Sequence, residues 1–305
     1  WSSDVCSSDL WIDSETGSLT FDATGVKTTI DGGTYNITAT GVSGTTSGGD
    51  AYFYANATGI YNCRNGEVTV NGGTFTTKGK GDNVWSVRGD YGSTTTINDG
   101  SFTTTPNVVA ASEAATRANK YYNVEGVRIW YGLATTININ GGTFLVENKS
   151  QASSSATFLR NGTGTVNITG SPTVTAYYGL QVGDFYGDNG DVTLTIDGGT
   201  YNCTGYALRS ESATSSTNTA TGKITVWDGK FKSSGASPVW QSSPTSNLKI
   251  RGGYYNDKNM TKAQLDNYVV SPSTTEAVAD GTTEYEAGYR YHVKTVYTVT
   301  WSVNG

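Results

Sequence analysis

The chain has 305 residues, a net charge of −6 and only 15% charged side chains, with 39 Gly, 5 Pro, 20 Tyr and a single His. One histidine argues against multi-histidine metal sites and histidine-dependent catalysis, the acidic balance argues against a nucleic-acid partner, and no run of roughly 18 apolar residues offers a membrane-spanning helix. Thr is the commonest residue at 49, aromatics are abundant and Leu and Met are scarce, so strands are expected rather than helices or disorder.

In chain order, residues 1–10, WSSDVCSSDL, share no pattern with the rest of the chain. They resemble a translated sequencing-library adapter and are set apart from the fold as a foreign segment. From residue 11 one phrase recurs: Ile30-Asp-Gly-Gly-Thr-Tyr35, Val70-Asn-Gly-Gly-Thr-Phe75, Ile97-Asn-Asp-Gly-Ser-Phe102 and Ile139-Asn-Gly-Gly-Thr-Phe144. After a degraded copy at Ile168–Val174 it returns as Ile196-Asp-Gly-Gly-Thr-Tyr201, Val226-Trp-Asp-Gly-Lys-Phe231 and Ile250-Arg-Gly-Gly-Tyr-Tyr255. The spacings are 40, 27, 42, 29, 28, 30 and 24 residues.

Each copy has the form strand, corner, strand. The residues before it alternate, as in Thr193-Leu-Thr-Ile196, with aliphatics on one face and Thr on the other. Gly supplies the backbone angles of the corner, and the aromatic opens the next strand facing inward. A further short strand precedes each copy, such as Val84–Arg88 or Gly179–Val182. Three strands per period predict an all-β, single-stranded parallel β-helix, a solenoid whose coils stack about 4.8 Å apart. The expected division is a β-helix over 11–256, a C-terminal cap over 257–296 with a short helix around Thr261–Tyr268 and a strand, and the start of a truncated following β domain over 297–305. Ser112–Lys120 is the one strongly helical stretch inside the array.

The Ile-x-Gly-Gly-Thr-Phe/Tyr coil resembles those of pectate-lyase-like right-handed β-helices, especially secreted or surface-anchored proteins of gut bacteria, and the resemblance covers residues 11–305. It implies a right-handed solenoid, an extracellular or cell-surface location and membership of a longer multidomain surface protein. It leaves function open, because lyases, hydrolases and adhesins share the fold.

Residues that could carry chemistry are few. The paired aspartates, Gly-His-Gly and Arg-x-Lys of β-helix glycosidases do not occur, and ordinary glycoside hydrolysis needs two carboxylates. Asp90, Asp184, Asp188 and Asp191 fall in Gly-rich loops, where Asp is a standard turn residue; calcium would need a ligand spacing the chain lacks. His292 lies in an alternating strand and Cys63 and Cys203 have the pattern of buried thiols. No cofactor or metal is implied.

One column stands out. Before each loop an apolar residue is followed by Arg or Gln: Arg64, Arg88, Arg128, Arg160, Gln181, Arg209 and Gln241, which hold five of the eight arginines. Alternation should turn these side chains away from the core. Stacked guanidinium groups need acids, rings or an anionic partner. One reading is a cationic strip for an acidic polysaccharide or host glycan, with Tyr91, Trp130, Tyr131, Phe185 and Tyr186 stacking on sugar rings. The other is a structural ladder neutralised by Glu67, Asp90, Glu125, Asp184 and Glu211. At the level of function a non-catalytic adhesin or stalk is expected, and a polysaccharide lyase or glycoside hydrolase is the alternative.

Overall fold

The computed structural model describes residues 10–14, 17–21, 24–39, 42–45, 51–54, 57–79, 83–106, 123–129, 134–147, 156–161, 163–183, 192–210, 222–241 and 247–297. The helical stretch at 112–120 and residues 298–305 lie outside them. The fold is all-β, and nearly every strand pairs in parallel. Three rows of strands recur in the same chain order. An entry row leads into each Gly corner, beginning with Lys27–Ile30, Glu67–Val70, Thr94–Ile97 and Thr136–Ile139. An exit row leaves the corner, with Thr34–Ala39, Thr74–Gly79, Ser101–Pro106 and Thr143–Val146. A third row precedes the entry strand, with Gly17–Phe21, Ala57–Asn62, Asn83–Gly89, Asn123–Ile129, Ala156–Asn161, Tyr178–Val182, Leu208–Ser210 and Val239–Gln241. Farther along, entry and exit strands run on through the corner as the single long strands Gly164–Ala176, Val192–Cys203 and Gly222–Ser233. An antiparallel hairpin, Val42–Thr45 with Ala51–Tyr54, lies in the first long interval.

Register follows the repeated phrase. Ile97 pairs with Val70 and Ile139, and Phe102 with Phe75 and Phe144. The aliphatics and aromatics of the phrase are buried in one continuous core. Identical rings therefore stack: Tyr35 on Phe75 at 4.6 Å, Phe75 on Phe102 and Phe102 on Phe144 at 4.8 Å, all within 8° of parallel. Each such pair adds about 0.5–1.5 kcal/mol beyond burial. Where the position is Tyr, its hydroxyl donates to a carbonyl of its own corner, Tyr35 to Gly32 at 2.8 Å and Tyr255 to Gly252 at 2.9 Å. Burial pushes the Tyr255 hydroxyl well above its ordinary pKa, which keeps it a donor.

The degraded copy puts Val174 in the aromatic column, and the gap is filled from another row. Phe158 of the third row reaches in, 4.9 Å from Phe144 and 6.4 Å from Tyr201, tilted against both. Its neighbours in that column are small: a Cβ at Gly126 would lie 2.8 Å from the Phe158 carbonyl and 3.0 Å from its ring. Phe158→Ala is therefore expected to cost about 3–5 kcal/mol, as for other buried aromatic truncations. Adding Val174→Phe to that variant should recover part of the loss, whereas Val174→Phe alone should overpack. Urea unfolding of the three variants checks this; independent, additive effects would show that the two positions do not share one space.

The last coil is closed by other elements. Strand Tyr291–Thr295 pairs antiparallel with Gly253–Tyr255 on one side and with Ser273–Ala277 on the other. The short helix Lys262–Asp266 starts at Thr261, which forms a reciprocal capping box with Gln264. After it, Val269 bridges to Ile250 of the entry row.

Candidate functional site

The third row carries the predicted column, and its pairing corrects the column's membership. Arg88 pairs with Arg128 above and with Tyr61 below; Arg160 pairs with Gln181, Gln181 with Arg209, and Arg209 with Trp240. Arg64 and Gln241 do not belong. The strand Ala57–Asn62 places Ile60, not Cys63, opposite Val87, so Arg64 falls in the turn beyond, exposed and with φ of 52°. Gln241 pairs with Ser210, and its side-chain carbonyl accepts from the Leu248 backbone N–H at 3.1 Å, tying the third row to the entry row. The apolar-then-Arg/Gln pattern coincides with the strand register in the middle coils and departs from it at both ends, at Arg64 because it lies in the turn beyond the strand and at Gln241 because Trp240 takes the column position.

Val87, Val127, Leu159, Leu180 and Leu208 fill the core, as alternation requires. Their neighbours turn away from it but are not laid open to solvent. Arg128 is 2% exposed and Gln181 3%. A charge so far from water needs compensation. Asp90, in its Gly-rich turn, is fully buried and accepts from Arg88 Nε at 2.7 Å. The Arg88 guanidinium also lies 4.7 Å from the Tyr61 ring centre and 5.0 Å from that of Trp85. Glu125, 1% exposed, accepts from the Trp85 indole at 2.8 Å, and its other oxygen stands 3.8 Å from Arg128 and 3.9 Å from Arg160. One carboxylate thus serves two guanidinium groups, and Arg128 further donates to the Arg160 carbonyl at 2.9 Å. Arg209 rests on the Trp240 ring at 4.9 Å and nears Tyr206 at 5.8 Å.

Of the neutralising acids expected, Asp90 and Glu125 are therefore in place. Glu67 instead pairs with Lys27 at 2.8 Å. Asp184 and Glu211, together with Trp130, Tyr131, Phe185 and Tyr186, lie outside the described residues. Tyr91 is an exposed ring in a turn, with φ of 50°.

Other singled-out residues serve local structure. Cys63 and Cys203 are buried thiols, and burial pushes the Cys203 thiol up to about 12. His292 stacks on Tyr254 at 4.2 Å and contacts Glu276 at 3.2 Å. A hydrogen bond from Lys294, with a smaller one from His292, holds the Glu276 carboxyl below the usual range.

A second ladder was hidden in the phrase itself. Asn71 donates to Asp31, Asn98 to Asn71 and Asn140 to Asn98, at 2.7–2.8 Å, and Thr169 donates to Asn140 at 2.8 Å. The signal was the Asp/Asn one residue after the aliphatic in the first four copies and again at Asp197, visible once the copies are stacked instead of read singly as turn formers.

Among the described residues no helix is long and apolar enough to cross a membrane. Searches of protein-family models, of curated proteins and of solved structures each returned no match to this chain.

Proposed function

We propose that the chain is a right-handed, single-stranded parallel β-helix serving outside a bacterial cell as a non-catalytic stalk or adhesin segment of a surface protein. The repeated order of third, entry and exit strands, in register across the ring and amide ladders, supports the solenoid. The resemblance of its corner phrase to pectate-lyase-like surface proteins supports the location. The observation that carries the stalk reading is the internal use of the cationic column: Asp90 and Glu125 hold three of its guanidinium groups and aromatic rings hold Arg209. These charges brace successive coils instead of facing an anionic ligand. The eight coils among the described residues, at the spacing of a parallel sheet, make a stack about 38 Å tall.

The test is retention of the chain on immobilised polygalacturonate and heparin, paired with thermal unfolding, for the wild type, Arg88→Ala and Arg128→Ala. Both variants are expected to unfold at lower temperature, with acidic-glycan retention no different from wild type. Strong wild-type retention that Arg128→Ala abolishes at unchanged stability would overturn the structural role. Shortening of the polygalacturonate by the wild-type chain would establish the lyase or hydrolase alternative.

A further inference from the structure

Where the third row ends, a cleft of about 580 Å³ opens between its last strand and the cap helix. Tyr206 and Trp240 line it from the third row, and Asn259, Gln264, Asn267 and Tyr268 from the cap. We propose that this cleft binds a neutral oligosaccharide, a ligand site additional to the stalk function and independent of it.

Three features define the ligand class. First, Tyr206 and Trp240 continue an outward ring stack: Tyr178 to Tyr206 is 6.1 Å at 14°, and Tyr206 to Trp240 is 5.7 Å at 31°. The stack stops at Trp240 because Val239–Gln241 is the last strand of its sheet. A half-buried indole there, already contacted by Arg209 at 4.9 Å, is an apolar platform with a polar edge, suited to the C–H face of a sugar ring. Second, the cap supplies three exposed primary amides, from Asn259, Gln264 and Asn267. Amides both donate and accept, which matches hydroxyl groups doing the same. The Gln264 side-chain oxygen accepts from the Thr261 N–H at 2.7 Å, which leaves its NH₂ group outside that bond. Third, none of the described residues that line the cleft is Asp, Glu, Lys or Arg, and the Arg209 guanidinium is engaged on the Trp240 ring. The volume falls within the roughly 300–1,000 Å³ of small-molecule sites.

A peptide strand added to the open edge is the competing occupant, and part of that edge is already engaged. The Ser237 hydroxyl donates to the Val239 carbonyl at 2.8 Å and accepts from the Val239 N–H at 3.3 Å. A strand added there would have to displace the Ser237 hydroxyl from both backbone groups of Val239.

The experiment is calorimetric titration of the whole chain with maltotriose, cellotriose and mannotriose, with trigalacturonate as the charged comparison. The variants are Trp240→Ala, Asn267→Ala and, as a control at a distant half-exposed indole, Trp227→Ala. At least one neutral trisaccharide is expected to bind. Trp240→Ala should weaken it about tenfold or more and Asn267→Ala a few fold, with Trp227→Ala unchanged. Asn267 is an exposed helix-end residue, so its variant reports on the cleft even if Trp240→Ala perturbs the last coil. No binding of any neutral trisaccharide at ~10 mM, far weaker than a specific site gives, would overturn the proposal. So would binding of trigalacturonate alone, or binding that both cleft variants leave unaltered. Trp240→Ala also removes a ring on which Arg209 rests, so the column is read separately, from Arg88→Ala and Arg128→Ala.

Discussion

Gly198→Ala is expected to lower stability by on the order of 4 kcal/mol, among the largest effects of any single methyl group in this chain. Two costs coincide at this corner. Gly198 has φ of +126°, outside the region L side chains adopt, and an added Cβ would lie 2.0 Å from the Gly170 carbonyl oxygen of the preceding coil. That oxygen is backbone in a paired strand, so it cannot swing aside without breaking the pairing of Gly170 with Gly198. Gly25 separates the two costs: its φ is +72°, but nothing lies within 4 Å of its absent Cβ, so Gly25→Ala should cost only about 1–2 kcal/mol. Urea unfolding ranks the pair. Hydrogen exchange should place the Gly198 damage in strands 164–176 and 192–203, since a stacked array couples mainly nearest neighbours. Equal effects of the two substitutions would show that coil-to-coil approach is looser than this geometry.

Glu125→Ala is expected to cost about 3–5 kcal/mol, the usual range for breaking a buried ion pair by removing one partner. The loss is compound: Arg128 and Arg160 lose their shared carboxylate and the Trp85 indole N–H loses its acceptor. Glu125→Gln keeps an acceptor for Trp85 without the charge, so it should fall between wild type and Ala. Replacing Glu125, Arg128 and Arg160 together by apolar residues should be milder than Glu125→Ala alone, because no charge is then left unpaired. Denaturant midpoints of the four chains, with indole fluorescence, measure this. A Glu125→Ala chain as stable as wild type would mean that the two arginines are neutralised elsewhere.

The corners and the sheets were legible because their requirements are local and repeated. Ile97 and Phe102 are fixed by alternation within one strand, and Gly73 by the positive φ its corner demands, 112°. What escaped was information held between coils. Phe158 looks like a surplus aromatic until Val174 is seen to leave a space in the neighbouring row. Arg64 and Gln241 share the spelling of the column but not its register, because pairing is decided by Ile60 against Val87 and by Leu208 against Val239. The burial of Asp90 was invisible as well, since Gly-Asp-Tyr-Gly is an ordinary turn sequence and only the neighbouring Arg88 gives it reason to leave water. The cleft at Trp240 could not be read at all: it exists because three cap amides and one indole, distant in sequence, meet where a ninth coil would have stood.

The reversed direction of Tyr291–Thr295 against Gly253–Tyr255 also governs how molecules meet one another. A stack of parallel strands is a one-dimensional crystal, and its last layer is a template on which a second molecule could continue growth. Here the position of the next exit strand is filled from within the chain: Tyr291–Thr295 pairs with Gly253–Tyr255 and is itself covered by Ser273–Ala277. The Val269 bridge closes the entry row beside it, and Ser237 occupies the backbone groups of Val239. At this end of the array the chain's own segments thus occupy the places a further coil would take, which removes the template that stacked parallel strands would otherwise offer to a second molecule.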